Sequence, residues 1–126
     1  MKKCQLLLLF LFSIVLFSCE GSDAYQGKWK AINRDDERFE ITFTAKEIIT
    51  KDSKRETVKY EYTQHSIEYK NGVSTYGIQL SDGREYQLFF PKKDKSEGML
   101  LDKDGRIVYT LSRNAYVTYD DIYKLD

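Results

Sequence analysis

The sequence predicts an all-β fold: a single small antiparallel meander of about eight strands closed into a barrel. Three observations carry that expectation. From Tyr25 onward, apolar and polar residues alternate with period two in a series of short runs, the mark of strands with one buried face. Between runs stand Asn71-Gly72, Asp82-Gly83 and Asp104-Gly105, pairs that tolerate positive φ and signal hairpins. Consecutive hairpins make a meander, and closing a meander into a barrel removes the two edges that an open sheet would expose.

The chain begins with Met1-Lys2-Lys3 and an apolar run from Leu6 to Phe17 broken only by Ser13. A basic start, a short apolar run and a small residue before a cut are the parts of a secretory signal. As a helix the run is too short to cross a hydrocarbon layer of about 30 Å. Composition alone leaves an ordinary signal or a single anchor as competing readings. The ending Leu16-Phe17-Ser18-Cys19 resembles the lipobox of bacterial lipoproteins: a leucine, a variable residue, a small residue and a cysteine. That resemblance implies a signal peptide over residues 1–18, cut before Cys19, whose thiol carries a diacylglycerol and whose amino group carries an acyl chain such as palmitate. Each buried methylene contributes roughly 0.8 kcal/mol, so two or three chains on one residue anchor stably without a transmembrane helix. It also implies a lipid-anchored place in the bacterial cell envelope and periplasm, at the outer membrane in preference to the inner, with the leaflet left open. The membrane is thus the first expected partner. Residues 19–24 then read as the lipidated cysteine and a tether, with Glu20-Gly21-Ser22-Asp23 favouring flexible coil. Residues 25–126 read as the barrel domain.

Removing the signal takes away Lys2 and Lys3 and leaves 18 basic against 20 acidic residues. Such a balance argues against a nucleic-acid partner, whose phosphates call for a strongly basic surface. Cys4 leaves with the signal and Cys19 is taken by lipid, so the domain has no disulfide and no cysteine metal site. A core of this size closes one domain without such staples.

The elements follow in order. Gly27-Lys28-Trp29 opens the first run, Trp29 to Ile32, and resembles the Gly-x-Trp motif of lipocalin-like domains, which implies that Trp29 closes the barrel base. Arg38 to Thr44 alternates cleanly, and Glu47 to Thr50 is a shorter candidate. Val58, Tyr60 and Tyr62 mark one run and Ile67 and Tyr69 another, with His65 between them in an exposed turn. Tyr76, Ile78 and Leu80, then Tyr86, Leu88 and Phe90, then Gly98 to Leu101, then Ile107, Tyr109 and Leu111 complete eight or nine strands. Pro91, the only proline, stands at a strand end, where a ladder tolerates a missing donor. In the tail, Thr118 and Asp121 have capping-box spacing and Tyr119, Ile122 and Tyr123 share a helical face, so a short helix plugging or flanking the barrel competes with a last edge strand over Ala115 to Tyr119.

Chemical constellations are sparse. His65 is the single histidine, which leaves no histidine-paired nucleophile and no multi-histidine metal site. Asp102-Lys103-Asp104-Gly105 lacks the further oxygen ligands of a calcium loop and reads as a hairpin turn. Glu40, Glu61, Glu68 and Glu85 alternate with core residues, so they should point outward instead of forming a hydrolase pair. The chain is rich in tyrosine, with ten residues that are core if they face inward and a binding rim if they gather at an open end.

These features predict a non-catalytic binding module that takes an envelope protein or a small ligand, with an inhibitor or immunity protein as a specific form. A structural or assembly accessory of the envelope is the alternative. No cofactor and no metal is expected. A small barrel fills its interior with side chains, which directs binding to loops. The two longest charged connections are Asn33-Arg34-Asp35-Asp36-Glu37 and Lys92-Lys93-Asp94-Lys95, whose opposed charges suit a protein partner. The signal reading makes its own prediction: Cys19→Ala should abolish incorporation of a fatty-acid probe in metabolic labelling, and persistent label would refute the lipid anchor.

Overall fold

A computed structural model describes residues 20–92 and 94–122 of the chain. The signal, Cys19, Lys93 and Tyr123 lie outside the described residues. The elements are β1 (Gly27–Asn33), β2 (Arg38–Phe43), β3 (Glu47–Lys51), β4 (Thr57–Lys70), β5 (Val73–Leu80), β6 (Glu85–Phe90), β7 (Glu97–Asp102), β8 (Ile107–Ser112) and α1 (Tyr119–Ile122). Every strand pairs antiparallel with its neighbours in chain order, and β1 pairs with β8 from Lys30↔Ser112 to Asn33↔Tyr109, closing the barrel. The period-two pattern puts Trp29, Ala31, Ile41, Phe43, Ile78, Leu88, Phe90 and Leu111 in one buried cluster. Each of the larger aliphatic and phenylalanine side chains among them contributes about 1.5–3 kcal/mol through burial.

The two ends of the barrel are built differently. At one end, the four connections after β1, β3, β5 and β7 share one construction: a three-residue loop closed by a residue of positive φ, namely Asp36, Arg55, Gly83 and Gly105. Three of them start on an Asn or Asp whose side-chain oxygen accepts two backbone N–H bonds, one from inside the loop and one from the residue that closes it. Asn33 holds Asp35 and Glu37, Asp52 holds Lys54 and Glu56, and Asp102 holds Asp104 and Arg106. All three Asx-Gly pairs close hairpins, but only Asn71-Gly72 is itself the two-residue connection, with φ of 56° and 81°.

β4 corrects the strand count. The runs around Tyr62 and Ile67 form a single strand with a bulge between Gln64 and Ser66, so His65 is an exposed bulge residue within a strand and not part of a turn. The extra residue reverses the parity of the inner face. Before the bulge Tyr62 pairs with Leu80; after it Ile67 pairs with Tyr76 and Tyr69 with Ser74. Ile67 and Tyr69 nevertheless remain 59% and 69% exposed, because β4 runs on after β3 has ended, beyond the Glu47↔Glu61 pair. Val58 is 47% exposed at the opposite end of the same strand. Phe39, on the inner face of β2, is only half-buried.

The stretch read as a flexible tether is bonded into the barrel floor. Gly21 N–H donates to Ala45 O at 2.8 Å and Ser22 N–H to the Gln64 side chain at 2.9 Å, while the Tyr25 hydroxyl donates to that same Gln64 oxygen at 2.6 Å. Tyr25 is fully buried, edge-on to Phe43 and Tyr76 at 5.3 and 5.0 Å, so the residues before β1 plug this end. Local composition hid this, because the small polar residues that favour coil also fit under a ring of aromatics.

The tail is a flank and not a plug. The Thr118 and Asp121 side chains accept from each other's backbone N–H, making the capping box that starts α1. The edge-strand reading of Ala115 to Tyr119 is overturned: the Thr110 hydroxyl donates to Val117 O at 2.6 Å, and Tyr116 lies beneath Lys30 and Arg38. Those partners sit on the outer face of β8, β1 and β2, where a continuous ninth strand has no free edge to join.

A Cβ on Gly21 would overlap the Tyr62 hydroxyl. Gly21→Ala should therefore lower stability by about 1–3 kcal/mol in chemical denaturation. A free tether would give no change.

Candidate functional site

The end carrying the four three-residue loops is open. Ile41, Ile48, Leu80 and Leu100 form the floor of a cup of about 180 Å³, and Tyr60, Tyr86, Tyr109, Thr50 and Val108 form its wall. Each of the three tyrosines stands a few residues beyond one of the turns, so its strand delivers it inward at the rim while its hydroxyl reaches toward water. Phe39 packs edge-on to Tyr109 at 5.3 Å and supports that wall. Arg84 reaches over the mouth: its guanidinium stands 5.3 Å from the Tyr60 ring centre, and Nη1 donates to the Tyr86 hydroxyl at 3.4 Å. Asp82 holds Arg84 from outside at 2.9 Å, and the Arg84 bonds in turn hold the Asp82 carboxyl below its ordinary range.

The expectation of a filled interior therefore holds only for the closed half. There Tyr25, Trp29, Phe43, Tyr62, Tyr76 and Phe90 occupy the lumen. Toward the open end the barrel is lined by branched aliphatic side chains and rim tyrosines, which leave space between them. The cup offers an apolar pit of about one aromatic ring's size, since a cavity of roughly 150 Å³ takes up benzene. Around its lip it adds phenolic hydroxyls and one guanidinium, groups that bond a polar or anionic head.

The loops singled out from sequence do not come together. Arg34, Asp35, Asp36 and Glu37 lie at the open end beside the cup, whereas Lys92 and Lys95 lie in the β6–β7 connection at the closed end, with Lys92 paired to Glu97 at 3.1 Å. Successive connections of a meander alternate between ends, so these two, separated by an odd number of strands, face opposite ways. Glu61, Glu68 and Glu85 are exposed, and Glu40 is half-buried and stands 4.0 Å from Lys51. Among the described residues no group of three His, Cys, Asp or Glu is arranged as a metal would need, and no helix is long and apolar enough to cross a membrane.

A second hollow, a shallow groove of about 890 Å³, runs over the outer face of β4 between Glu20, Lys46 and Gly83. It is broad and shallow where the cup is walled by converging strands. Trp29, expected at the base, is buried in the closed half with its indole N–H donating to Tyr25 O at 2.9 Å. Its ring is covered by the Arg113 guanidinium at 3.8 Å. Gly27, at φ 108°, leaves room for Arg113, whose Nη1 would lie 2.9 Å from a Cβ there.

Burial, then the neighbouring Tyr60 and Tyr86, holds the Tyr109 hydroxyl above its ordinary pKa. At the floor, burial pushes Tyr62 up to about 12 and Tyr25 higher still. Unfolded tyrosines ionise near pH 10 while these stay neutral, so stability is whole below about pH 10 and is lost as pH rises toward 12 and beyond. Denaturation midpoints should be flat up to about pH 9 and then fall, less steeply in Tyr62→Phe; a curve still flat near pH 12 would contradict the burial of these hydroxyls. Compared with known proteins, the chain matches no family model, no curated protein and no solved structure.

Proposed function

We propose that the chain is a lipid-anchored protein of the bacterial cell envelope, held through Cys19, whose barrel is a non-catalytic binding module. Its ligand is a small apolar or single-ring molecule with a polar or anionic head, seated in the tyrosine-walled cup. The observation that carries this reading is the convergence of Tyr60, Tyr86 and Tyr109 with Arg84 around an apolar pit at the open end. Tyrosine gives wide contact at low entropic cost, because its side chain has few rotatable bonds to freeze. A protein partner, as an inhibitor or immunity protein would have, is the second reading. It is favoured by the charged turns that ring the same mouth, Arg34 to Glu37 among them.

Calorimetric titration of the mature protein in detergent with benzoate, hexanoate and indole tests the cup. At least one should bind saturably. Val108→Phe, which fills the pit, should weaken that binding tenfold or more, about 1.4 kcal/mol. Arg84→Gln should weaken the two acids and spare indole. Absence of saturable binding, or equal binding by Val108→Phe, would remove the cup as the site and leave the rim.

A further inference from the structure

The closed end of the barrel carries a feature that the core does not explain. β4 continues past its bulge as the outer strand of the β4–β5 hairpin, with every residue from His65 to Lys70 exposed. Ile67 and Tyr69 lie on one face of it, 59% and 69% exposed, and among the described residues no strand pairs with its other edge beyond Glu61. The chain's N-terminal side emerges at this same end. Gly21 is bonded to Ala45 and Ser22 to Gln64, so Cys19 stands only two residues from a fixed point on the barrel floor.

Two residues reach at most about 7 Å. From Gln64, at the level of Ser22, to Lys70 the strand covers roughly 20 Å at about 3.3 Å per residue. With strands tilted about 35–45° in a small barrel, Lys70 stands roughly 15 Å beyond Gln64 along the axis, level with the end of β6, to which β5 is paired up to Ser74↔Phe90. That offset exceeds the reach of the anchor. A barrel held this closely by lipid at its closed end must either lie over or set its hairpin into the headgroup layer.

We propose that the β4–β5 hairpin docks in the interface of the membrane that carries the Cys19 lipid, with Ile67 and Tyr69 in contact with it. This inference rests on the lipid anchor at Cys19. An apolar residue beside a tyrosine suits that layer, where the tyrosine ring meets acyl chains and its hydroxyl meets headgroups. Lys70, at the base of the Asn71-Gly72 tip, can extend its ammonium to phosphate. The hairpin then acts as a second foot beside the lipid, fixes the barrel axis and turns the tyrosine-walled mouth away from the bilayer.

The test uses the mature protein, purified from membranes and reconstituted into vesicles of phosphatidylethanolamine and phosphatidylglycerol. Its one cysteine carries lipid, so Tyr69→Cys, Ile67→Cys and Lys103→Cys each offer a single free thiol for a nitrobenzoxadiazole fluorophore. Label at 67 or 69 should emit at shorter wavelength and be quenched at least twofold by brominated lipids, while label at 103, on an open-end turn, should not change. Quenching at none of the three, on protein whose mass includes acyl chains at Cys19, would overturn the docking and leave the anchor intact. Equal quenching at all three would show a barrel lying flat and overturn it too. A mature protein without acyl mass at Cys19 would remove the anchor, and this orientation with it.

Discussion

The seam between β1 and β8 turns the sheet into a barrel, and it is short, running only from Lys30↔Ser112 to Asn33↔Tyr109. Arg113 extends it. The residue directly after β8 sends its guanidinium back across β1, donating to Gln26 O at 2.8 Å and Lys28 O at 3.1 Å while it covers the Trp29 ring. A partly buried cation is costly unless its donors are met, and here two carbonyls and an aromatic face meet them. Burial still holds the Arg113 pKa below its ordinary value. The same contact fixes Trp29 against Phe90 at 5.6 Å, and Phe90 in turn meets Tyr76. First strand, last strand and floor are thus one connected unit.

From that unit the two ends diverge. The floor is buried and aromatic, with Tyr25 seated between Phe43 and Tyr76 and its hydroxyl bonded to Gln64. The mouth is built on branched aliphatic side chains and tyrosines that keep one edge wet. Turn chemistry reinforces the difference. Asn33, Asp52 and Asp102 each tie down two amides of their own loop, which makes the rim short and stiff. Stiff loops around a pit lose little entropy on binding. The closed end instead presents the outer strand of the β4–β5 hairpin, exposed from His65 to Lys70, while its partner β5 stays paired with β6 and buries Ser74 and Tyr76.

Much of the architecture was legible because strands and hairpins are local. Phe39, Ile41 and Phe43 alternate cleanly, and the Asx-Gly pairs stand where the chain reverses. The bulge in β4 was harder to see, although it left a trace: the apolar parity switches from even at Tyr62 to odd at Ile67 across Thr63-Gln64-His65-Ser66, which holds no glycine, proline, asparagine or aspartate to make a turn. The docking of Gly21 and Ser22 could not be read, because the partner atoms belong to Ala45 and Gln64, distant in sequence. The cup was half legible. Tyrosine richness announced a rim, but which tyrosines gather there depends on strand ends and not on period. The charged loops illustrate the remaining gap, since composition singles out Asp36 and Lys95 alike while topology sends them to opposite poles.

Joining Lys30 to Ser112 also makes the barrel a late-closing object during synthesis. At about 5–20 residues per second, the roughly 80 residues between those strands take about 4–16 s to emerge. Throughout that interval β1 has β2 on one side and nothing on the other, and Trp29 lacks the guanidinium that will cover it. Non-local closure of this sort slows folding. The barrel therefore cannot close until β8 and the arginine that follows it, residues 107–113, have arrived, and until then Trp29 stays uncovered.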